Sequence, residues 1–437
     1  DLGRATKGAA IALKARMYLH LASPLYADRT VNTLACNQYD GDRKVLYEKA
    51  LESAKAVINS GVYSLVDCNA GNVAEIANNF HSIITTNNAE MIFTKQFINK
   101  SQNADNNVRN RVALCHGPNG YHNWAGVTPT NDLVMSFEME DGSINSSMFK
   151  AGETTTMNPF LNREPRFYAT IGYDGAEWGR PRPSDSQVFD PTPMGTLQMG
   201  FYELSSGGGP VDAQVAFDAT GNPIKTISFT GVNGVDTRRS SVEDWNGSFT
   251  GYLEKKLIDT SFEASESMFQ TCPYPFIRLA EMYLIAAESC IELNRLDEAV
   301  SYLDALRNRI GRPDTKATLN IRNLAFNQSN LREFLRLERR SELSYEDSRY
   351  YDIRRWMIAP EMMSKSLTGI AVVARLKPGK TASAPYVKNP EIWDYQYFVT
   401  DLTYRETRKW NNKLYFAPIK RDEINRNPAM VQNPGME

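Results

Sequence analysis

The chain has 437 residues, 42% of them hydrophobic, and is close to neutral, with 49 Lys and Arg against 51 Asp and Glu. That is enough chain for a large buried core in one big domain or several lobes. Near-neutral charge with no basic block gives no electrostatic basis for nucleic-acid binding, and no apolar run reaches the roughly 18 residues of a membrane-spanning helix.

The chain starts without an initiator Met, at Asp1-Leu2-Gly3-Arg4. This suggests a longer protein with any targeting signal upstream. The first predicted helix runs from Ala9 to Ala22, with small residues at Ala12 and Ala15. Its expected partner spans Tyr47 to Ile58 and ends near Gly61. A long insertion, residues 23–45, separates the two.

The middle of the chain, residues 99–272, is rich in Gly, Pro, Asn, Ser and Thr. Turn signals at 207–210 and 231–234 alternate with strand-like runs at 167–171 and 224–229. This predicts loops and small hairpins on a rigid frame, where binding residues tend to collect.

Residues 275–289 (PFIRLAEMYLIAAES) predict a helix with two apolar stripes. Glu281, Glu288 and Glu292 are left as a narrow wet face, so the helix is expected to be sandwiched between others. Asn294 and its neighbours break it. A second helix, from Leu296 towards Ile310, is stopped by Gly311 and Pro313. So short a turn makes the pair antiparallel, with small Ala287 and Ala299 at the crossing. Its length of about 34 residues matches a tetratricopeptide-type unit. A third unit is expected from Asn330, with capping-box spacing to Glu333, on to Trp356. The expected fold is mainly α: tetratricopeptide-like hairpins forming a scaffold with a loop-rich, short-strand insertion. Residues 1–98 form the first hairpin, 99–272 the loop-rich ligand-binding region, and 273–437 the later helical units and an irregular tail, all in one compact unit.

Catalytic motifs are absent. There is no G-x-S-x-G and no H-E-x-x-H. Gly3 and Gly8 have P-loop spacing, but Ala9 and Ala10 stand where Lys and Ser/Thr are required. Cys115, His116 and His122 are too few and too irregular for a zinc site. The five cysteines are widely spaced, and no EF-hand is present. No cofactor or metal is therefore assigned, and structural calcium stays open. Aromatic residues are more informative. Tyr121, Asn123 and Trp124, then Tyr173, Asp174, Trp178 and Arg180, then Trp245 and Asn246, each set a ring beside hydrogen-bonding groups. A sugar offers an apolar face to a ring and a rim of hydroxyls to polar neighbours. These nine residues are the candidate ligand contacts. Trp356, Trp393 and Trp410 are assigned to the core.

Several stretches together resemble one family, the SusD/RagB-like outer-membrane nutrient-binding lipoproteins. They are GRATKGAA at 3–10 with ASPLY at 22–26, PTNDLV at 129–134 with FEMEDG at 137–142, and NREPRFY at 162–168. ERRSEL at 338–343 with RYYDIRRW at 349–356, EINRNP at 423–428 and QNPG at 432–435 complete the set. The resemblance implies a non-catalytic, lipid-anchored protein on the cell surface of Bacteroidota-type bacteria. Such proteins capture oligo- or polysaccharide and deliver it to a SusC-like TonB-dependent transporter. It also implies an acylated cysteine and a first repeat upstream of residue 1, so membrane contact would come only through that anchor. Asp347-Ser348 departs from the family's usual glycine. Two other readings stay in competition: a peptide-binding or protein-interaction lid of the same transporter type and, ranked last, a glycoside hydrolase.

Overall fold

A computed structural model describes residues 2–98, 110–144, 150, 152–179, 195–238, 245–261, 270–383 and 388–436. Its main helices are α1 (Lys7–Ala22), α2 (Arg43–Ile58), α3 (Val73–Thr85), α4 (Pro165–Thr170), α5 (Leu279–Glu292), α6 (Leu296–Asn308), α7 (Gln328–Glu342) and α8 (Ser348–Arg355). Thr6 starts α1 by accepting the Ala9 N–H at 3.2 Å, the usual work of a helix-capping hydroxyl. The small residues of α1, Ala12 and Ala15, share one apolar core with Ala50 and Ala54 of α2. Ala287 of α5 and Ala299 of α6 are fully buried in that same core. Asn294 turns the chain between α5 and α6 with φ 60°, a conformation Asn tolerates better than most residues.

The described strands form a six-stranded sheet and two short antiparallel pairs, one of them Ile171–Gly172 with Leu253–Glu254. β1 (Met91–Lys95) and β6 (Tyr274–Arg278) make an antiparallel pair. β2 (Thr154–Thr155), β3 (Phe201–Glu203), β4 (Gly209–Phe217), β5 (Pro223–Asn233), β7 (Thr368–Leu376) and β8 (Trp393–Asp401) make a six-stranded sheet. Its order is β2-β8-β7-β3-β5-β4. The β4–β5 and β7–β8 hairpins are antiparallel, and the short β3 joins them by pairing parallel to β7.

Several local expectations are corrected. The fold is helix-rich with a substantial sheet, and the C-terminal part, expected to be irregular, supplies β7 and β8. Residues 167–171 were expected as a strand. Pro165, at the first turn, starts α4 there instead, and only Ile171–Gly172 is extended. The helix expected from Pro275 begins at Leu279, because 274–278 is taken up as the partner of β1. Helix α7 is capped one turn earlier than expected, by Asn327, whose side chain accepts the Asn330 N–H at 2.9 Å.

Two of the three residues of the supposed wet face of α5 are buried, and Glu292 is partly exposed and paired with Arg332. Glu281 and Glu288 are 4% and 2% exposed. Glu281 accepts from Arg16 of α1 at 2.9 Å, and Glu288 accepts from Arg355 at 2.7 Å and from the Trp356 indole at 2.7 Å. Beside it lies a larger buried network. Arg166 of α4 binds Glu164 and reaches Glu338 and Glu342 of α7. Arg278 of β6 binds Glu90, Glu342 and Glu346. Arg307 joins Glu338 to Glu138, which Arg312 and Arg322 also hold. A buried charge is tolerated only when it is paired and hydrogen-bonded, and removing one partner costs about 3–5 kcal/mol. Glu138, Glu164, Arg166, Glu338 and Glu342 all lie in the motifs quoted above, so those motifs are the hubs of the interior.

This interior makes stability depend on pH. Burial alone would raise the Glu138 carboxyl, but Arg307, Arg322 and Arg312 pull it down to about 2. Burial, reinforced by nearby cations, holds His20 and His81 at about 4, below their ordinary 6.5. Each of these groups titrates lower in the folded state than in the unfolded one. Their contribution is therefore complete above about 6.5 for the histidines and above about 4.5 for the carboxylate, and it is lost as pH falls through the folded values. Glu164, raised by burial, opposes this trend alone in its part of the network. The melting temperature, followed by circular dichroism, should begin to fall below pH 6.5 and keep falling towards pH 2. A constant value between pH 7 and 3 would contradict this account.

Candidate ligand-binding cleft

A cleft of about 500 Å³ opens where the sheet meets residues 236–238, 248–251 and 400–405. Phe201, Gln214, Phe217, Ile370 and Thr400 line it from the strands. The β4–β5 turn closes one end. Asp218 accepts from the Thr220 N–H, the Thr220 hydroxyl and the Asn222 N–H at 2.8–2.9 Å. These bonds hold its carboxyl well down, at about 2. Gly221 there has φ +90°, and a β-carbon would come 2.6 Å from the Tyr404 ring. Glycine is needed for both the backbone angle and the close approach of that ring. Tyr404 in turn packs on Phe217, with ring centroids 5.1 Å apart.

The other wall is built on Phe249. The Arg238 and Arg405 guanidinium carbons lie 3.8 Å and 3.7 Å from its ring centroid. At such distances each guanidinium covers a ring face, and one face has room for only one, so the two take opposite sides. Asp236 anchors the wall. One of its oxygens accepts the Gly120 N–H and the other the Gln198 N–H, both at 2.8 Å. Thr237 and Ser248 point hydroxyls at the main-chain oxygens of Gly234 and Tyr252, each at 2.7 Å. Among the described residues Asp236 is the only carboxylate lining the cleft, and both its oxygens are occupied. Among the described residues the cleft therefore offers rings, guanidiniums, hydroxyls and an amide, and no pair of carboxylates of the kind glycoside hydrolysis uses.

The residues picked from sequence lie in different places. Tyr121 and Trp178 are 4% and 3% exposed, and the Tyr121 hydroxyl donates to the Trp178 carbonyl. They pack against each other and are not open to a ligand. Asn123 is buried. Asp174 is buried too, accepting from the Met199 N–H at 3.0 Å, the Tyr202 hydroxyl and Lys388 Nζ at 2.9 Å. Tyr173 stacks within an aromatic core against Phe160 and Phe167. Local sequence could not show that these rings plug the interior. Trp124 and Trp245 are exposed, Trp124 with Arg111 5.7 Å from its ring. Asn246 is half-buried, and Arg180 lies outside the described residues. Trp245 adjoins the cleft, its carbonyl accepting from Arg238 Nη1 at 3.5 Å. Phe217, Phe249, Tyr404 and Arg405 escaped the sequence reading. The glycines flanking 247–251 (GSFTG) were the one local signal of a ring held close to backbone.

His116, one of the metal-like trio, lies 3.3 Å from Glu254. No group of three His, Cys, Asp or Glu suited to a metal occurs among the described residues.

The SusD family model matches residues 89–436. The chain belongs to the SusD family. Solved SusD-like structures agree with this. A SusD-like protein from Bacteroides fragilis is 27% identical, with a TM-score of 0.64 over 99% of this chain and 66% of its own. A SusD-like carbohydrate-binding protein from the same species is 22% identical, with a TM-score of 0.54 over 98% of this chain and 65% of its own. A SusD superfamily protein from Bacteroides vulgatus is 16% identical, with a TM-score of 0.54 over 100% of this chain and 64% of its own. The chain thus spans about two thirds of the length of these relatives. No curated protein matches it.

Because Asp236 satisfies two main-chain N–H groups of the cleft wall, Asp236→Ala should cost about 2–6 kcal/mol, on the order of 1–3 for each buried donor left unmet. Urea unfolding reads this directly. A loss under 0.5 kcal/mol, the usual range of a surface substitution, would show that Asp236 does not anchor the wall.

Proposed function

We propose that this SusD-family protein is a non-catalytic glycan-binding protein of the cell surface. It captures oligo- or polysaccharide in the cleft around Phe249 and passes it to a SusC-like TonB-dependent transporter. The observation that carries this reading is the lining itself. Rings at Phe217 and Tyr404 are set beside hydroxyls and beside the two guanidiniums that Phe249 carries on its faces, in a family that includes a protein described as carbohydrate-binding. A ring stacked on a sugar face contributes about 0.5–1.5 kcal/mol beyond buried area. Trp245 extends the platform beyond the cleft mouth. With so few stacking contacts, affinity is expected between about 1 μM and 1 mM, which suits a carrier that must release its cargo. The protein's attachment to the outer membrane is proposed to be through a lipid. No helix among the described residues is long and apolar enough to cross a membrane. The α1–α2 and α5–α6 pairs are read as tetratricopeptide-type units of the scaffold.

A second reading, a lid that binds peptide or protein, draws on another feature. An apolar groove of about 930 Å³ runs along α1, lined by Leu13, Met17, Phe276 and Tyr351. All four are exposed.

Native affinity electrophoresis through gels containing neutral and acidic polysaccharides separates the two readings. At least one polymer should retard the protein without sugar release. Phe249→Ala should weaken retention about tenfold with little change in melting temperature, and Met17→Asp should leave it unchanged. Retention by peptides but by no polysaccharide, lost in Met17→Asp, would replace the glycan reading with the second.

A further inference from the structure

Building on the glycan reading, we infer that the cleft selects acidic sugars and that Arg405 is the residue that holds their anionic group. Arg405 is exposed at the cleft mouth and stacked on Phe249. Among the described residues its guanidinium has no ion pair and no hydrogen bond, although carboxylates surround it in sequence and space. Glu406 is taken by Arg408 at 2.6 Å. Asp401 accepts the Thr403 N–H at 2.8 Å. Asp218 is closed by its own turn, and Asp236 by the Gly120 and Gln198 amides. Among the described residues these acidic groups are thus engaged by main chain or by other partners, and Arg405 is left unpaired at the opening.

Stacking strengthens the argument. A guanidinium lying on a ring face is held parallel to the ring, with its N–H edge pointing outwards past the ring's rim. A planar fork held in this way fits the two oxygens of a carboxylate, or two of a sulfate, in a bidentate contact that Lys cannot make. Arg238, on the opposite face of Phe249, places a second positive group at the same ring. The whole chain carries a formal charge of −2, so its bulk field does not favour polyanions. Selection for an acidic sugar would have to be local. The shared ligand chemistry is an anionic oxygen group on a sugar, supplied either by a uronate carboxylate or by a sulfate ester.

The test uses the full chain at about 150 mM salt, where long-range attraction is screened. The probes are polygalacturonate, its carboxyl-reduced neutral form, κ-carrageenan and a set of neutral polysaccharides. Polygalacturonate or κ-carrageenan should retard the protein, and which of the two does so names carboxylate or sulfate as the group. If polygalacturonate does so, carboxyl reduction should abolish retention. Arg405→Gln should weaken binding at least tenfold at unchanged melting temperature, and Arg405→Lys should fall between the two. Retention by a neutral polymer, lost in Phe249→Ala and untouched in Arg405→Gln, would overturn the acidic selection and leave the glycan reading standing. Retention by an acidic polymer that neither Arg405→Gln nor Arg238→Gln weakens would overturn the assignment to this cleft. Binding to none of the polymers would overturn both.

Discussion

Charges locked away from water hold this protein together. Arg166, Arg278 and Arg307 are almost wholly buried, and so are the carboxylates they meet, Glu138, Glu338 and Glu342. None of these groups could be buried alone at acceptable cost. Each therefore requires that its partner's segment be in place, and those segments come from opposite ends of the chain. Arg166 reaches Glu338 across 172 residues, and Arg16 reaches Glu281 across 265. The network acts as a set of mutual conditions. Helix α7 cannot seat without α4 and β6, and the turn carrying Glu138 cannot seat without α6. Apolar packing among α1, α2 and α5 supplies the bulk of the burial, and the ion pairs specify which surfaces meet.

The cleft shares no lining residue with those pairs and is built differently. It stands on the sheet that β3 joins into one piece. Its walls are fixed by single hydrogen bonds, by a glycine that admits Tyr404, and by a ring clasped between two arginines. Such a site tolerates changes in its lining while the frame stays constant. In this chain the motif residues hold the interior, while the cleft residues Arg405 and Tyr404 meet the solvent.

This division also explains how much was legible in sequence. Helices α1, α2, α5 and α6 were readable because apolar spacing and small residues are local signals. The motif blocks were readable too. Their pairing was not. A helical pattern shows which face carries Glu281 and Glu288, but not that Arg16 and Arg355 wait opposite, so a mostly sealed face was taken for a wet one. The cleft was hidden for the same reason. Phe217 ends β4 and Tyr404 lies just past β8, strands that are not paired in the sheet, so only the tertiary fold brings their rings together. Tyr121 and Trp178 carry the same local signature of a ring beside polar groups, yet they close on each other inside the protein. Of the candidates chosen for stacking, Trp245 is the one placed against the cleft.

Hydrogen exchange of the protein with and without the polysaccharide that retards it tests the central claim most directly. Protection should appear in the segments 234–238, 245–251 and 400–405, with α1 and α5 unchanged. Protection confined to the groove along α1, or to the segment 119–124, would contradict the assignment of ligand capture to the cleft around Phe249.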